Sequence, residues 1–285
     1  MPVALVRGET MAAKIKFTKL KSLALCAALL SGSALAPAFA ADTNPLASLK
    51  LRNIGPALTS GRIADFAFNP DKKHEFYVAT ASGNLWKTQN NGTTWQPLFE
   101  NEASYALGTV VIDPNNSDTV WVGTGENNAQ RSVADGDGVY KSIDGGKTWQ
   151  NMGLKASGHI SQIWINPNDS DTVLVAAQGP LWNAGGDRGL YKTTDGGLTW
   201  TRILEIDEHT GVNEFVVDPN DHDHIVVSTY QRRRHVWVLV NGGPGSAIRR
   251  TTDGGATWQK VTSGLPSKDD MGRIGLAQAP SAPNT

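Results

Sequence analysis

The run GENNAQRSVADGD (125–137) gathers Glu126, Asn127, Asn128 and Arg131 on one polar stretch. A glutamate among amides and an arginine suits general acid–base hydrolysis, provided that a second carboxylate stands across a cleft. Asp65, Asp135, Asp137 and Asp187 are the partners on offer, and spacing pairs none of them with Glu126. Glu126 is therefore the one candidate catalytic residue, and it lacks a defined partner. A different chemistry is written into GPLWNAGGDR (179–188) and QRRRHVWVLVNGGPGS (231–246), which supply Trp182, Arg232, Arg233, Arg234, His235 and Trp237. Guanidinium groups hold carboxylates or phosphates in pairs of hydrogen bonds, and indoles stack on sugar faces or peptide side chains. With Arg62, Asn127, Asn128 and Arg131, these residues form the candidate ligand-binding set. Structural alternatives stand beside this reading. Arg232, Arg233 and Arg234 also suit a solvated run or pairing with acids on adjoining loops. Arg62 also suits pairing with Asp65, and the tryptophans also suit packing within their loops. No metal site is expected: DHDH (221–224) occupies a turn, and His159 and His209 lack companions at ligand spacing.

The elements that must position these groups repeat along the chain. An eight-residue turn is written four times, as TQNNGTTW (88–95), SIDGGKTW (142–149), TTDGGLTW (193–200) and TTDGGATW (251–258). The copies lie roughly 50–60 residues apart, a repeat-protein period. Before each turn come an alternating apolar run ending at a proline turn (GTVVIDPNNSD, ISQIWINPNDSD), a second apolar run (TVWVGTG, TVLVAAQ) and a third, short one (GVYKS, GLYKT). The tryptophan of the turn then opens a fourth. Four short antiparallel strands per unit, without helical periodicity, predict an all-β fold: a β-propeller of four-stranded blades. The blades are expected at about 62–99, 108–153, 158–205 and 211–263, with the first strand of a fifth at 271–285. The propeller therefore reads as truncated, its remaining blades expected from a longer chain or a partner. In such a ring, the turns between strands one and two and between three and four share one face. The long, varied loops share the other, where function is expected. The repeated turns are expected to be structural, through Asn90, Asp144, Asp195 and Asp253 and through Trp95, Trp149, Trp200 and Trp258.

Bulk composition excludes some functions. A net charge of -1 over 285 residues, with 19% charged, gives no reason to expect a nucleic-acid or anionic-membrane partner. From Met11 a basic segment, an apolar run and Ala38-x-Ala40 follow in the order of a secretory signal peptide. Residues 1–40 are read as that signal, with 1–10 an upstream start extension, and 41–61 as a lead-in. A periplasmic or extracellular protein with no membrane span after cleavage is expected. The sole cysteine, Cys26, falls inside the signal, so the mature chain has neither a thiol nucleophile nor a disulfide. No cofactor is expected, and the expected ligand is a peptide or a glycan.

Position for position, the repeated turn resembles the Asp-box (BNR) turn, Ser/Thr-x-Asp-x-Gly-x-Thr-Trp, with Asn90 replacing the aspartate in the first copy. RNIGPALTSGRIADFAFNP, GTGENNAQRSVADGDGVYKS and GGPGSAIRRTTDGG extend the likeness. They resemble secreted bacterial propellers related to the sortilin ligand-binding domain, often labelled glycosyl-hydrolase-like. The resemblance implies the propeller fold, and either a receptor-like binding face, a hydrolase cleft or the propeller part of a larger secreted hydrolase. Xyloglucan-cleaving propellers are similar in their repeats but carry an aspartate near the end of the first blade's second strand. The corresponding stretch here, VATASGNLW, offers Ala81 and Ser82. The arginine triad of sialidases has no equivalent either. Binding is the leading expectation.

Overall fold

The computed structural model describes residues 61–128, 133–267, 270–279 and 281–282, within one compact unit. The signal peptide, nearly all of the lead-in and Arg131 lie outside the described residues. Every strand pair is antiparallel. The first sheet holds β1 (Ile63–Phe68), β2 (Phe76–Thr80), β3 (Leu85–Thr88) and β4 (Gln96–Pro97), in that order. The second holds β5 (Leu107–Asp113), β6 (Asn116–Thr124), β7 (Val139–Ser142) and β8 (Gln150–Asn151). The third holds β9 (Ile160–Asn166), β10 (Asp169–Ala177), β11 (Gly189–Thr193) and β12 (Thr201–Leu204). In the fourth, β13 (Thr210–Val217), β14 (Ile225–Arg234), β16 (Ala247–Thr251) and β17 (Gln259–Val261) follow in order, and β15 (Leu239–Asn241) pairs with the end of β14. These are propeller blades. Each box tryptophan closes the turn instead of opening the fourth strand, which starts one residue later.

Blades pack face to face, so the second strand of an inner blade is apolar on both sides. Val120 and Val122 of β6 meet Tyr77 and Ala79 of the first blade, while Trp121 between them faces Ile163, Val173 and Val175 of the third. The inner strands β1, β5, β9 and β13 line a channel of about 600 Å³. One position on these strands clamps the neighbouring blade. Asp65 Oδ2 accepts from Val110 N–H at 3.0 Å and Thr109 Oγ1–H at 2.7 Å. Gln162 exchanges two bonds with the Phe215 backbone, at 2.8 and 3.0 Å. Glu214 Oε2 accepts from Leu276 N–H at 2.8 Å. Leu276 thus sits where Val110 and Phe215 sit, and residues 271–279 follow the course of a fifth inner strand. They form no strand, because no second strand pairs with them among the described residues. Side chains hold them instead: Ser228 Oγ and Asn213 Nδ2 donate to the Ile274 carbonyl at 2.9 and 3.1 Å.

The repeated turn is built by its first, third and seventh residues. In the third copy the Thr193 hydroxyl donates to Asp195 Oδ1 (2.7 Å) and accepts from Gly197 N–H (3.0 Å). Asp195 also accepts from Thr199 N–H and Thr199 Oγ1–H, at 2.9 and 2.6 Å. Gly145, Gly196 and Gly254 adopt φ of 71°, 69° and 67°, and Asn91 takes the same conformation at 53°. Asparagine tolerates left-handed backbone better than other non-glycine residues, so the first copy keeps its shape without that glycine. Asn90 likewise replaces aspartate by donating Nδ2–H to Thr94 Oγ1 at 2.9 Å while its Oδ1 accepts from Thr94 N–H at 2.8 Å.

The substitution has a pH consequence. Asp144 is held down at about 2 by the Thr148 hydroxyl and amide. Asp195 is held there by the Thr199 and Thr193 hydroxyls, and Asp253 by those of Thr251 and Thr257. Their folded pKa values lie below the ordinary 3.8, so the box bonds contribute stability fully above that value, and the contribution disappears as pH falls to about 2. Urea melts between pH 5 and 2 should show this loss. Asp195→Asn, a copy of what Asn90 already does, should reduce the slope; an unchanged slope would show that the box carboxylates do not carry it.

Candidate functional site

The long-loop face is organised around residues 126–128, immediately after β6. Gly125 (φ 92°) turns the chain out of the strand, and the Glu126 backbone closes on Ala134 through an N–H···O bond of 2.9 Å. Three other blades and the fifth inner segment converge on this turn. Arg62 of the first blade forms an ion pair with Glu126 Oε1, not with Asp65. From the third blade, Gln178 Nε2 donates to Asn127 Oδ1 at 2.5 Å; in return Asn127 Nδ2 donates to the Ser161 carbonyl at 3.3 Å. From the fourth, Arg232 donates to the Asn128 carbonyl at 2.8 Å and to Gln178 Oε1 at 3.3 Å. Arg273 of the fifth segment donates to the Asn127 carbonyl at 2.9 Å.

In this geometry the Glu126 carboxylate is engaged at both oxygens. It is 2% exposed, and it also accepts from Asn128 Nδ2 at 3.2 Å and Ala134 N–H at 3.4 Å. The carboxylates in the loops between second and third strands are likewise engaged. Asp137 accepts from the Tyr140 hydroxyl at 2.6 Å, and burial together with that carboxylate pushes the phenol up to about 12. Asp187 Oδ2 accepts from Ala156 N–H at 3.0 Å. Asp135 Oδ1 lies 3.2 Å from His159 Nε2, on an imidazole that burial pushes below its ordinary pKa. In the 221–224 turn, His222 packs edge-on to Trp164 at 5.1 Å and His224 lies 3.7 Å from Asp221. Among the described residues no three metal-ligating side chains stand together.

The three consecutive arginines do not form one cluster. Instead of a loop they occupy an extension of β14, where Arg232, Arg233 and Arg234 pair with Asn241, Val240 and Leu239 of β15. Arg232 parts from the other two, which both meet Trp182. Arg232 turns into the buried turn described above. Arg233 donates to the Trp182 carbonyl at 3.2 Å and meets His209 Nδ1 at 2.9 Å. Arg234 places its guanidinium 5.8 Å from the Trp182 ring centroid. The hairpin is closed by His235 N–H to the Val238 carbonyl at 2.8 Å, and His235 stacks on Trp237 with centroids 5.6 Å apart. Each indole is thus backed by a basic side chain and still open to solvent, Trp182 at 45% and Trp237 at 83% exposure. The Trp182 loop is stapled from within. Buried Arg188 donates to the carbonyls of Gln178, Pro180, Asn183 and Gly185, and burial pushes its pKa down to about 10.

Sequence reasoning missed Gln178, Asn213, Arg188 and Arg273. Arg273 had a readable signal, because the Gly-Arg-Ile of 61–63 recurs at 272–274. The others carry no motif: Gln178 and Arg188 flank strand ends, and Asn213 lies inside β13, where it accepts from Gln178 Nε2 at 2.8 Å.

Four-stranded blades, Asp-box turns and a channel lined by inner strands define an Asp-box β-propeller. A family profile described as Sortilin, neurotensin receptor 3 (Sortilin-Vps10) matches residues 137–268. Among curated proteins, the xyloglucanase Xgh74A of Acetivibrio thermocellus is 23% identical over 278 residues, covering 86% of this chain and 31% of its own length. Among solved structures, an ancestral GH74 enzyme matches at TM-score 0.57 and 20% identity, over 73% of this chain and 26% of that one. The GH74 xyloglucanase from Xanthomonas campestris matches at TM-score 0.56 and 17% identity, over 78% and 34%. The structural likenesses show the fold. The chain spans under a third of the length of the curated relative.

Proposed function

We propose that this chain is an exported ligand-binding propeller module whose long-loop face takes a peptide or a glycan. The observation that carries the reading is the pair of supported, solvent-open indoles, Trp182 on Arg234 and Trp237 beside His235. Such rings offer a rigid apolar surface at little entropic cost. The carboxylates point the same way, since Glu126 is bonded at both oxygens and Asp135, Asp137 and Asp187 are each engaged elsewhere among the described residues. Export is supported by the order of charge and apolarity in 1–40, and no helix among the described residues is long and apolar enough to cross a membrane.

A second reading, the propeller part of a glycoside hydrolase, is favoured by one observation: the curated relatives include enzymes named xyloglucanases. Retention of the protein on immobilised xyloglucan oligosaccharides and on a peptide array separates the two. Trp182→Ala and Trp237→Ala should each weaken retention about tenfold with little change in melting temperature, because exposed substitutions shift stability by about 0.5 kcal/mol or less. Unchanged retention in both would remove the binding reading. Sugar release that disappears in Glu126→Gln would establish the second.

A further inference from the structure

The blade interfaces share a set of contacts that the first blade presents with nothing to receive them. Each later box tryptophan reaches back one blade and donates Nε1–H to the carbonyl three residues past the preceding tryptophan. Trp149 bonds Leu98 at 2.9 Å, Trp200 bonds Met152 at 2.8 Å, and Trp258 bonds Ile203 at 2.8 Å. The side chain of that same residue lies against the second glycine of the box. A Cβ on Gly146, Gly197 or Gly255 would stand 2.7, 3.2 or 2.7 Å from Leu98, Met152 or Ile203. The first box glycine also faces backwards. Its carbonyl accepts from the Tyr77 hydroxyl at Gly145 (3.0 Å) and from Lys141 Nζ at Gly196 (3.2 Å).

The first blade has every one of these groups and, among the described residues, none of the partners. Trp95 is 42% exposed, and its Nε1 meets no acceptor among the described residues. A Cβ on Gly92 would touch only Trp95 itself. The Asn91 carbonyl, equivalent to those of Gly145 and Gly196, receives no described donor. Beside them Phe66, Phe68, Phe76 and Trp95 form a continuous aromatic patch with centroids 5.0–6.5 Å apart, on the face of the blade opposite Tyr77 and Ala79. An isolated aromatic patch would be nonspecific. This one is flanked by the same directional groups that specify three interfaces elsewhere in the molecule.

The geometry points to a docking surface on the first blade for one occupant: a further Asp-box blade from outside residues 61–282. That blade must present a backbone carbonyl and an apolar side chain three residues past its own box tryptophan, to receive Trp95 and cover Gly92. It must also present a lysine or tyrosine donor toward the Asn91 carbonyl. A second copy of this chain fits poorly. Its fourth blade has the equivalent residue, Val261, but the inner position beside that blade is already filled by Leu276 on Glu214.

Photocrosslinking in the producing cell tests the assignment, with p-benzoylphenylalanine replacing Phe68 and, as a control, Leu198 on the box face. The expected result is a crosslink from position 68 to a peptide within an Asp-box repeat outside residues 61–282, absent from the control. Trp95→Phe, which keeps a ring but loses the N–H donor, should lower its yield several-fold with an unchanged melt. A crosslink to residues 225–261 in a dimer, to a sequence without the repeat, to lipid, or to nothing would overturn the assignment.

Discussion

Trp200→Ala is expected to cost the isolated chain about 3 kcal/mol, in the range for removing a well-packed tryptophan, whereas Trp95→Ala should cost less than about 1 kcal/mol. The two occupy the same box position and differ in what lies behind them. Trp200 donates to the Met152 carbonyl and packs edge-on to Trp121 at 6.3 Å. Its removal opens a gap between the second and third blades and leaves a carbonyl unpaired. Among the described residues Trp95 packs within its own blade, edge-on to Phe76 at 5.4 Å. Urea denaturation of both variants checks this. Equal losses would show that the tryptophan stabilises its own turn rather than the blade junction.

Gly125→Ala should have a still larger effect, about 4 kcal/mol or more, and should disrupt the candidate site at its base. Gly125 has φ of 92°, and an added Cβ would overlap the Gly158 carbonyl oxygen and stand 2.8 Å from His159 Cα. Both obstacles are backbone, which cannot swing aside. Gly185 provides the comparison, with φ of 72° and nothing within 4 Å of an added Cβ. Gly185→Ala should therefore show only the strain of left-handed backbone, about 1 kcal/mol. Melting temperatures and the soluble yield of the two variants separate close approach from φ alone. Similar losses would mean that blades two and three can move apart at this junction.

The architecture was legible because each blade repeats one local pattern. Alternating apolar runs, proline turns and four copies of a turn with fixed chemistry fix strand number and blade packing. The direction of the turn's indole was not legible. In sequence Trp200 belongs to the hairpin it closes, and only the packed ring shows that its N–H is satisfied 48 residues back, at Met152. The candidate site was legible as a face rather than as an arrangement. Arg232, Arg233 and Arg234 read as one basic cluster until Arg232 is placed on the Asn128 carbonyl and the other two on Trp182. Glu126 reads as a free acid until Arg62, 64 positions earlier in the chain, is placed on it. Contacts that cross blades leave no local pattern, since each partner sits in a segment that looks complete alone.

The backward reach of the box tryptophan also bears on the order of assembly. At these three junctions the donor belongs to the blade made later, and its acceptor to the blade made earlier. As the polypeptide is extended from its N-terminus, the landing carbonyls at Leu98, Met152 and Ile203 are already present when Trp149, Trp200 and Trp258 emerge. Each new blade can dock on finished structure as soon as its own turn is synthesised, consistent with N-terminal units folding first during synthesis. Construction of these four blades thus proceeds in one direction, like a wall laid course upon course.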